Sequence, residues 1–119
     1  MTTDSPNVQI ARAYLDSLLS HRTDDVRLAP DAKRFENGED CGWSREAILE
    51  SLRTGEQYLP LRTIRELRFA EWDDNVTAHY QLDLDLGGER LATSSIAEHF
   101  VVRGGEIHAI TVVFEPVMG

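Results

Sequence analysis

The stretch Asn75 to Leu86 reads NVTAHYQLDLDL. Val76, Ala78, Tyr80, Leu82, Leu84 and Leu86 fall on one side, and Thr77, His79, Gln81, Asp83 and Asp85 on the other. That period of two is the mark of a half-buried β-strand. Gly87-Gly88 and Gly104-Gly105 are two-residue hairpin turns, and Asp73-Asp74-Asn75 is a third turn. Four consecutive antiparallel strands are therefore predicted, over 63–72, 75–86, 89–103 and 106–115. The first and last alternate poorly, which predicts a bulge or strong bend, because one extra residue changes which side chains face inward. Strands longer than the usual five or six residues favour a curled sheet over a flat one.

Outward from the meander, the N-terminal half reads as helical. Ser5-Pro6 supplies a capping hydroxyl and a proline preset for the first turn. Val8, Ile10, Ala11, Tyr14, Leu15, Leu18 and Leu19 then recur at helical spacing. The helix is expected to fray around His21 to Thr23, with a short helical turn through Val26 and Leu28 that Pro30 stops. A small strand is read over 32–37, ending at Gly38. Ser44 caps a second helix with Ala47, Ile48 and Leu52 on its apolar side and Gly55 beyond its end. Helices followed by a long meander give an α+β domain spanning 1–119, with helices packed on one face of a curved sheet that leaves a hollow.

The composition bounds the partners. A chain of 119 residues with formal charge −9 repels phosphate backbones and anionic membrane surfaces, so neither nucleic acid nor membrane is an expected partner. MTTDSPNVQ has neither the basic start nor the apolar core of a secretory signal, and no apolar run reaches the length of a membrane span. A cytoplasmic location is the default expectation. Cys41, the one cysteine, follows two acids that disfavour a thiolate, and it reads as a bystander.

The chemistry starts with TSSIAEHFVV, Thr93 to Val102. In a strand, Ala92, Ile96, Glu98, Phe100 and Val102 share the buried side, so Glu98 stands among apolar neighbours, where an unpaired carboxylate tends to hold its proton. Tyr14 on the first helix and Glu36 at the end of the short strand also fall at inward positions. If the three line one cavity, they suit proton transfer beside a carbonyl: one carboxylate takes the proton, while a phenol and a protonated acid donate to the developing oxyanion. No metal or cofactor is required. Plainer roles stand beside these: Tyr14 as a core aromatic, Glu98 ion-paired with Arg34, and Glu36 as a solvated or turn-capping acid. His79 and His99 lie on outward faces of adjacent strands and could meet across the sheet, while His108 has no assignable face.

The order of elements and these residues resemble the cone-shaped domains of the nuclear transport factor 2-like superfamily, nearest its ketosteroid isomerase-like and polyketide cyclase-like (SnoaL-like) members. VQIARAYLDSLL is similar to the isomerase's first helix and sets Tyr14 at its catalytic tyrosine. APDAKRFENGEDCGWSREAI is similar to its short strand and next helix, placing Glu36 on or beside the general base. SIAEHFVVRGGEI is similar to its acid-bearing strand and turn, placing Glu98 at the acid that donates to the oxyanion. The resemblance implies a cystatin-like roll, a cone-shaped curved antiparallel sheet wrapped around N-terminal helices, with Glu98 held neutral by its apolar site. It departs in that both family aspartates are glutamates here and that Leu52 stands where a supporting tyrosine is found.

The resulting expectation is a cavity for a small, mostly apolar molecule, lined by Leu18, Tyr80, Ile96 and Phe100, with Trp43, Tyr58 and Ile110 completing the wall. The resemblance further implies a homodimer through the sheet. Two functions fit: a cofactor-independent isomerase or cyclase with Glu36 as base and Tyr14 and Glu98 as donors, or a non-catalytic binding or dimerisation domain. They part on whether the three groups converge on one open pocket.

Overall fold

The computed structural model describes residues 4–37, 39–40, 44–55, 61–87 and 90–116. Its elements run α1 (Pro6–Ser20), β1 (Leu28–Glu36), β2 (Glu39–Asp40), α2 (Arg45–Thr54), β3 (Leu61–Trp72), β4 (Asn75–Gly87), β5 (Arg90–Arg103) and β6 (Glu106–Pro116). The sheet order is β2-β1-β6-β5-β4-β3, so β3 through β6 form the predicted antiparallel meander in a curved, unclosed sheet.

Both helices begin as the sequence dictates. The Ser5 hydroxyl accepts from the Val8 amide at 3.1 Å and Pro6 opens the first turn of α1. The Ser44 hydroxyl accepts from the Ala47 amide at 3.3 Å to open α2. α1 buries Val8, Ala11, Tyr14, Leu15 and Leu18 and packs on β3 to β6, while α2 buries Ile48 and Leu52 and packs on β1. Ala47, read as part of the apolar side, is exposed.

Two expectations about the first strand are corrected. The segment through Val26 and Leu28 makes no helical turn; β1 already starts at Leu28. Leu28 and Ala29 are buried, and the Ile107 amide donates to the Arg27 carbonyl at 2.8 Å, tying the segment to β6. Pro30 lies where the β1–β6 register breaks, between Leu28 and Lys33, so its missing N–H costs no ladder bond. β1 also runs parallel to β6, so the sheet as a whole is mixed.

The expected irregularities fall in β3 and β6. β3 shifts register between Leu61 and Thr63 and again between Arg65 and Arg68, with Glu66 at φ 56. In β6, Val101 faces Ala109 but Val102 faces Ile107, which makes His108 the extra residue and moves the inward set from Ile107 to Ile110 and Val112. On the outer face, His79 lies opposite Ala97 rather than His99. His99 instead bonds the Asn75 side chain at 2.9 Å and stacks on Trp72 at 5.8 Å. Arg65 grips Asp83 at 2.6 and 2.8 Å and Thr93 donates to it at 2.8 Å, holding that carboxyl down at about 2.

At the centre of the inner face Phe100 is fully buried and meets the Tyr14 ring edge-on at 5.5 Å, 70° between planes. Phe100→Ala is expected to cost about 3–5 kcal/mol, read as a lowered urea midpoint, because α1 cannot collapse into the space left on a sheet pinned by its ladders.

Candidate functional site

The inner face places the candidate acids in one row. Val112 of β6 lies opposite Glu36 on one side and Glu98 on the other, so the two acids stand two strands apart, about 10 Å between Cα atoms. The adjacent row holds Arg34, Ile110 and Phe100. Above these, toward Phe114 and Ser94, the sheet and α1 leave a cavity of about 260 Å³. Leu18 of α1, Leu61 of β3, Tyr80, Leu82 and Leu84 of β4, Ile96 of β5, and Val112 and Phe114 of β6 make its apolar wall. Arg34, Glu36, Ser94 and Glu98 supply its polar groups.

Glu98 is 1% exposed. The Tyr80 hydroxyl donates to its Oε1 at 2.7 Å. Burial pushes the carboxyl up to about 7; the Tyr80 bond and the charge of Arg34 pull the other way, and the charge of Glu36 adds to the rise. Burial and the same acid drive the Tyr80 phenol upward, so it stays protonated. With the Tyr80 hydrogen on Oε1, a proton held by Glu98 sits on Oε2, where it can be donated. Arg34, offered by the sequence as one partner for Glu98, acts on that acid through its charge and pairs with Glu36. Its Nη1 lies 2.6 Å from Oε1 of Glu36.

Of the sequence-predicted residues, Glu36, Glu98, Leu18, Tyr80 and Ile96 come together on the cavity. Tyr14, Phe100 and Ile110 do not line it. All three are fully buried, Tyr14 because its helical position turns the ring onto Phe100, and Phe100 and Ile110 because they occupy the row beneath. Trp43 and Tyr58, with Cys41, lie outside the described residues. The sequence reading offers Arg34 only as a partner for Glu98 and misses its pairing with Glu36 and the pairing role of Tyr80. Tyr80 sat in plain view as a hydroxyl on the apolar face of the strand next to Glu98. Among the described residues, no group of three or more His, Cys, Asp or Glu side chains is arranged to hold a metal ion, and no helix is long and apolar enough to cross a membrane.

The chain belongs to the family described as a domain of unknown function, DUF8021, which matches residues 2–114. No curated protein matches the sequence. Its fold is the nuclear transport factor 2-like fold. A protein of that fold from Anabaena variabilis is 18% identical, with 97% of this chain and 94% of that one covered and a TM-score of 0.72. TerC, co-crystallised with polyporic acid, is 19% identical, with coverages of 93% and 92% and a TM-score of 0.72. An LEH-like epoxide hydrolase of M. tuberculosis is 16% identical, with coverages of 92% and 83% and a TM-score of 0.76.

Glu98 links stability to pH. A carboxyl raised from 4.5 to about 7 keeps its proton in the folded chain where the unfolded chain has lost it, so stability falls as pH rises through that interval. Above it, the ionised group costs about 3 kcal/mol. Glu98→Gln is therefore expected to match wild type in urea unfolding near pH 4 and to exceed it near pH 8. Equal pH dependence in the two proteins would show that Glu98 does not titrate in this way.

Proposed function

We propose that this DUF8021 chain binds a small, mostly apolar carbonyl compound in the inner cavity and catalyses proton transfer beside the carbonyl, as a cofactor-independent isomerase or cyclase. The observation that carries the reading is the pair of acids on one apolar cavity, one buried and neutral below about pH 7, the other an ion-paired carboxylate. Glu36 removes a proton from the carbon beside the carbonyl. The electrons of that C–H bond move onto the carbonyl oxygen, and Glu98 Oε2 donates a hydrogen bond to the charge that develops there. Return of the proton from Glu36 to a different carbon completes an isomerisation. Tyr80, whose single hydroxyl hydrogen is engaged by Glu98, positions the acid and does not itself donate to the ligand. Tyr14, away from the cavity, is a packing residue in this scheme.

A second reading, epoxide hydrolysis, is favoured by the presence of one donor and one base. Glu98 would protonate the epoxide oxygen as its C–O bond breaks, while Glu36 takes a proton from the water whose oxygen bonds the carbon. A structural neighbour is named for that activity.

We also propose that the chain pairs as a homodimer through the outer sheet face, where Trp72 is 50% and Val113 49% exposed. Val113→Asp would then shift sedimentation from dimer to monomer.

For the reaction, 2-tetralone in D2O is the probe, with deuterium uptake beside the carbonyl followed by NMR. Wild type is expected to exceed buffer, Glu36→Gln to lose about a hundredfold or more, and Glu98→Ala to lose about 10²–10³-fold. Binding of 2-tetralone without exchange above buffer would leave a binding protein only. Turnover of styrene oxide in place of exchange would establish the second reading.

A further inference from the structure

β1 ends on the acid proposed as the base. Glu36 is its last residue, opposite Val112 of β6 on one side and Glu39 of the two-residue β2 on the other. Strand ends fray, and a base on a fraying end would wander relative to Glu98, which is fixed in the middle of the sheet. The residue after Glu36 opposes this.

The Asn37 amide donates to the Val112 carbonyl at 2.8 Å, as the next rung of a parallel ladder would. In a straight strand the rung after that would run from the Phe114 amide to the main-chain carbonyl of residue 37. Asn37 instead leaves the strand, with φ at 48, and its side-chain Oδ1 accepts from the Phe114 amide at 3.0 Å. The side chain thus stands in for the main chain, and β1 stays tied to β6 past the point where its backbone turns. The residue type is decisive. Glycine, asparagine and aspartate adopt the left-handed region readily, and of these three only the last two carry a side-chain oxygen that can accept. Asn37 is itself exposed and does not line the inner cavity, but the two residues it ties together, Glu36 and Phe114, both do.

We infer that Asn37 is a positioning residue: it holds the last rung of β1 on β6 and so fixes Glu36 at its distance from Glu98. This rests on the inner cavity being the site of proton transfer with Glu36 as base, and it adds the residue that sets the place of that base. Asn37 acts through Glu36 and touches no reacting atom.

The test follows deuterium uptake by 2-tetralone at varied concentration, which separates kcat from KM. Asn37→Gly keeps the turn and lacks the acceptor; Asn37→Asp keeps both. Asn37→Gly is expected to lower kcat about ten- to a hundredfold with KM within about twofold, as displacement of a base requires. Asn37→Asp should keep most of the wild-type kcat. Hydrogen exchange at the Phe114 amide gives a readout independent of turnover: protection in wild type and Asn37→Asp, and its loss in Asn37→Gly. Wild-type kcat in Asn37→Gly, or an equal loss of kcat in both variants, overturns the inference while the carbonyl site stands. An unprotected Phe114 amide in wild type overturns it without any variant. Absence of exchange above buffer in wild type removes the proton-transfer reading and this inference with it.

Discussion

A carboxyl group stands in an apolar wall as the neutral acid or beside a donor, and at Glu98 burial favours the neutral acid while the Tyr80 hydroxyl supplies the donor. It satisfies one oxygen of the acid, and it leaves the proton to the other. The buried polar character of the inner face beside β4 and β5 centres on that contact. The acid stands in the middle of the sheet, opposite Ala78 on one side and Val112 on the other, and is almost wholly out of contact with water. Tyr14 and Phe100 pack on each other and do not line the space beside it.

The likeness to solved structures fixes this architecture and nothing finer, because identities of 16–19% preserve a backbone and not a set of side chains. What the chain does must be read from its own polar residues. They differ from the pattern expected of the isomerase-like members at the donor: a phenol from α1 was expected to face the ligand, and a phenol from β4 faces the acid instead. In the proposed scheme one donor thus remains where two were expected, and Arg34, weighed as a partner for Glu98, is buried beside Glu36.

The strands were legible because alternation survives burial, and the second helix because its cap and terminal glycine are local signals. The start of β1 was not legible: Pro30 reads as a helix stop, and only the distant Ile107 amide reveals that residue 27 is already tied to β6. The register of β4 and β5 was more accessible. A strict two-residue turn at Gly87-Gly88 would set residue 86 opposite 89, pairing inward even-numbered residues with outward odd-numbered ones. Opposite residues share a face, so the alternation in both strands demands a one-residue irregularity. It occurs between Asp85 and Gly87, and it brings Tyr80 opposite Ile96, diagonal to Glu98. The bond between them could have been anticipated from parity. The Arg34–Glu36 pair could not, because five residues fix a period poorly and parallel pairing of β1 with β6 is a long-range choice.

The two glutamates gain a physical sense from that same row. With Val112 between them, Glu36 and Glu98 rise from backbones two strand spacings apart, and a group meant to engage both must bridge what their side chains leave open. Aspartates at these positions would stop a methylene short on each side and widen the gap. Both glutamates line the cavity with Val112 between their backbones, and the half-exposed Glu36 reaches Arg34 at 2.6 Å. In the proposed scheme, length sets the distance between donor and base, so glutamate in place of the aspartate expected from the resemblance is a change of spacing rather than of chemistry.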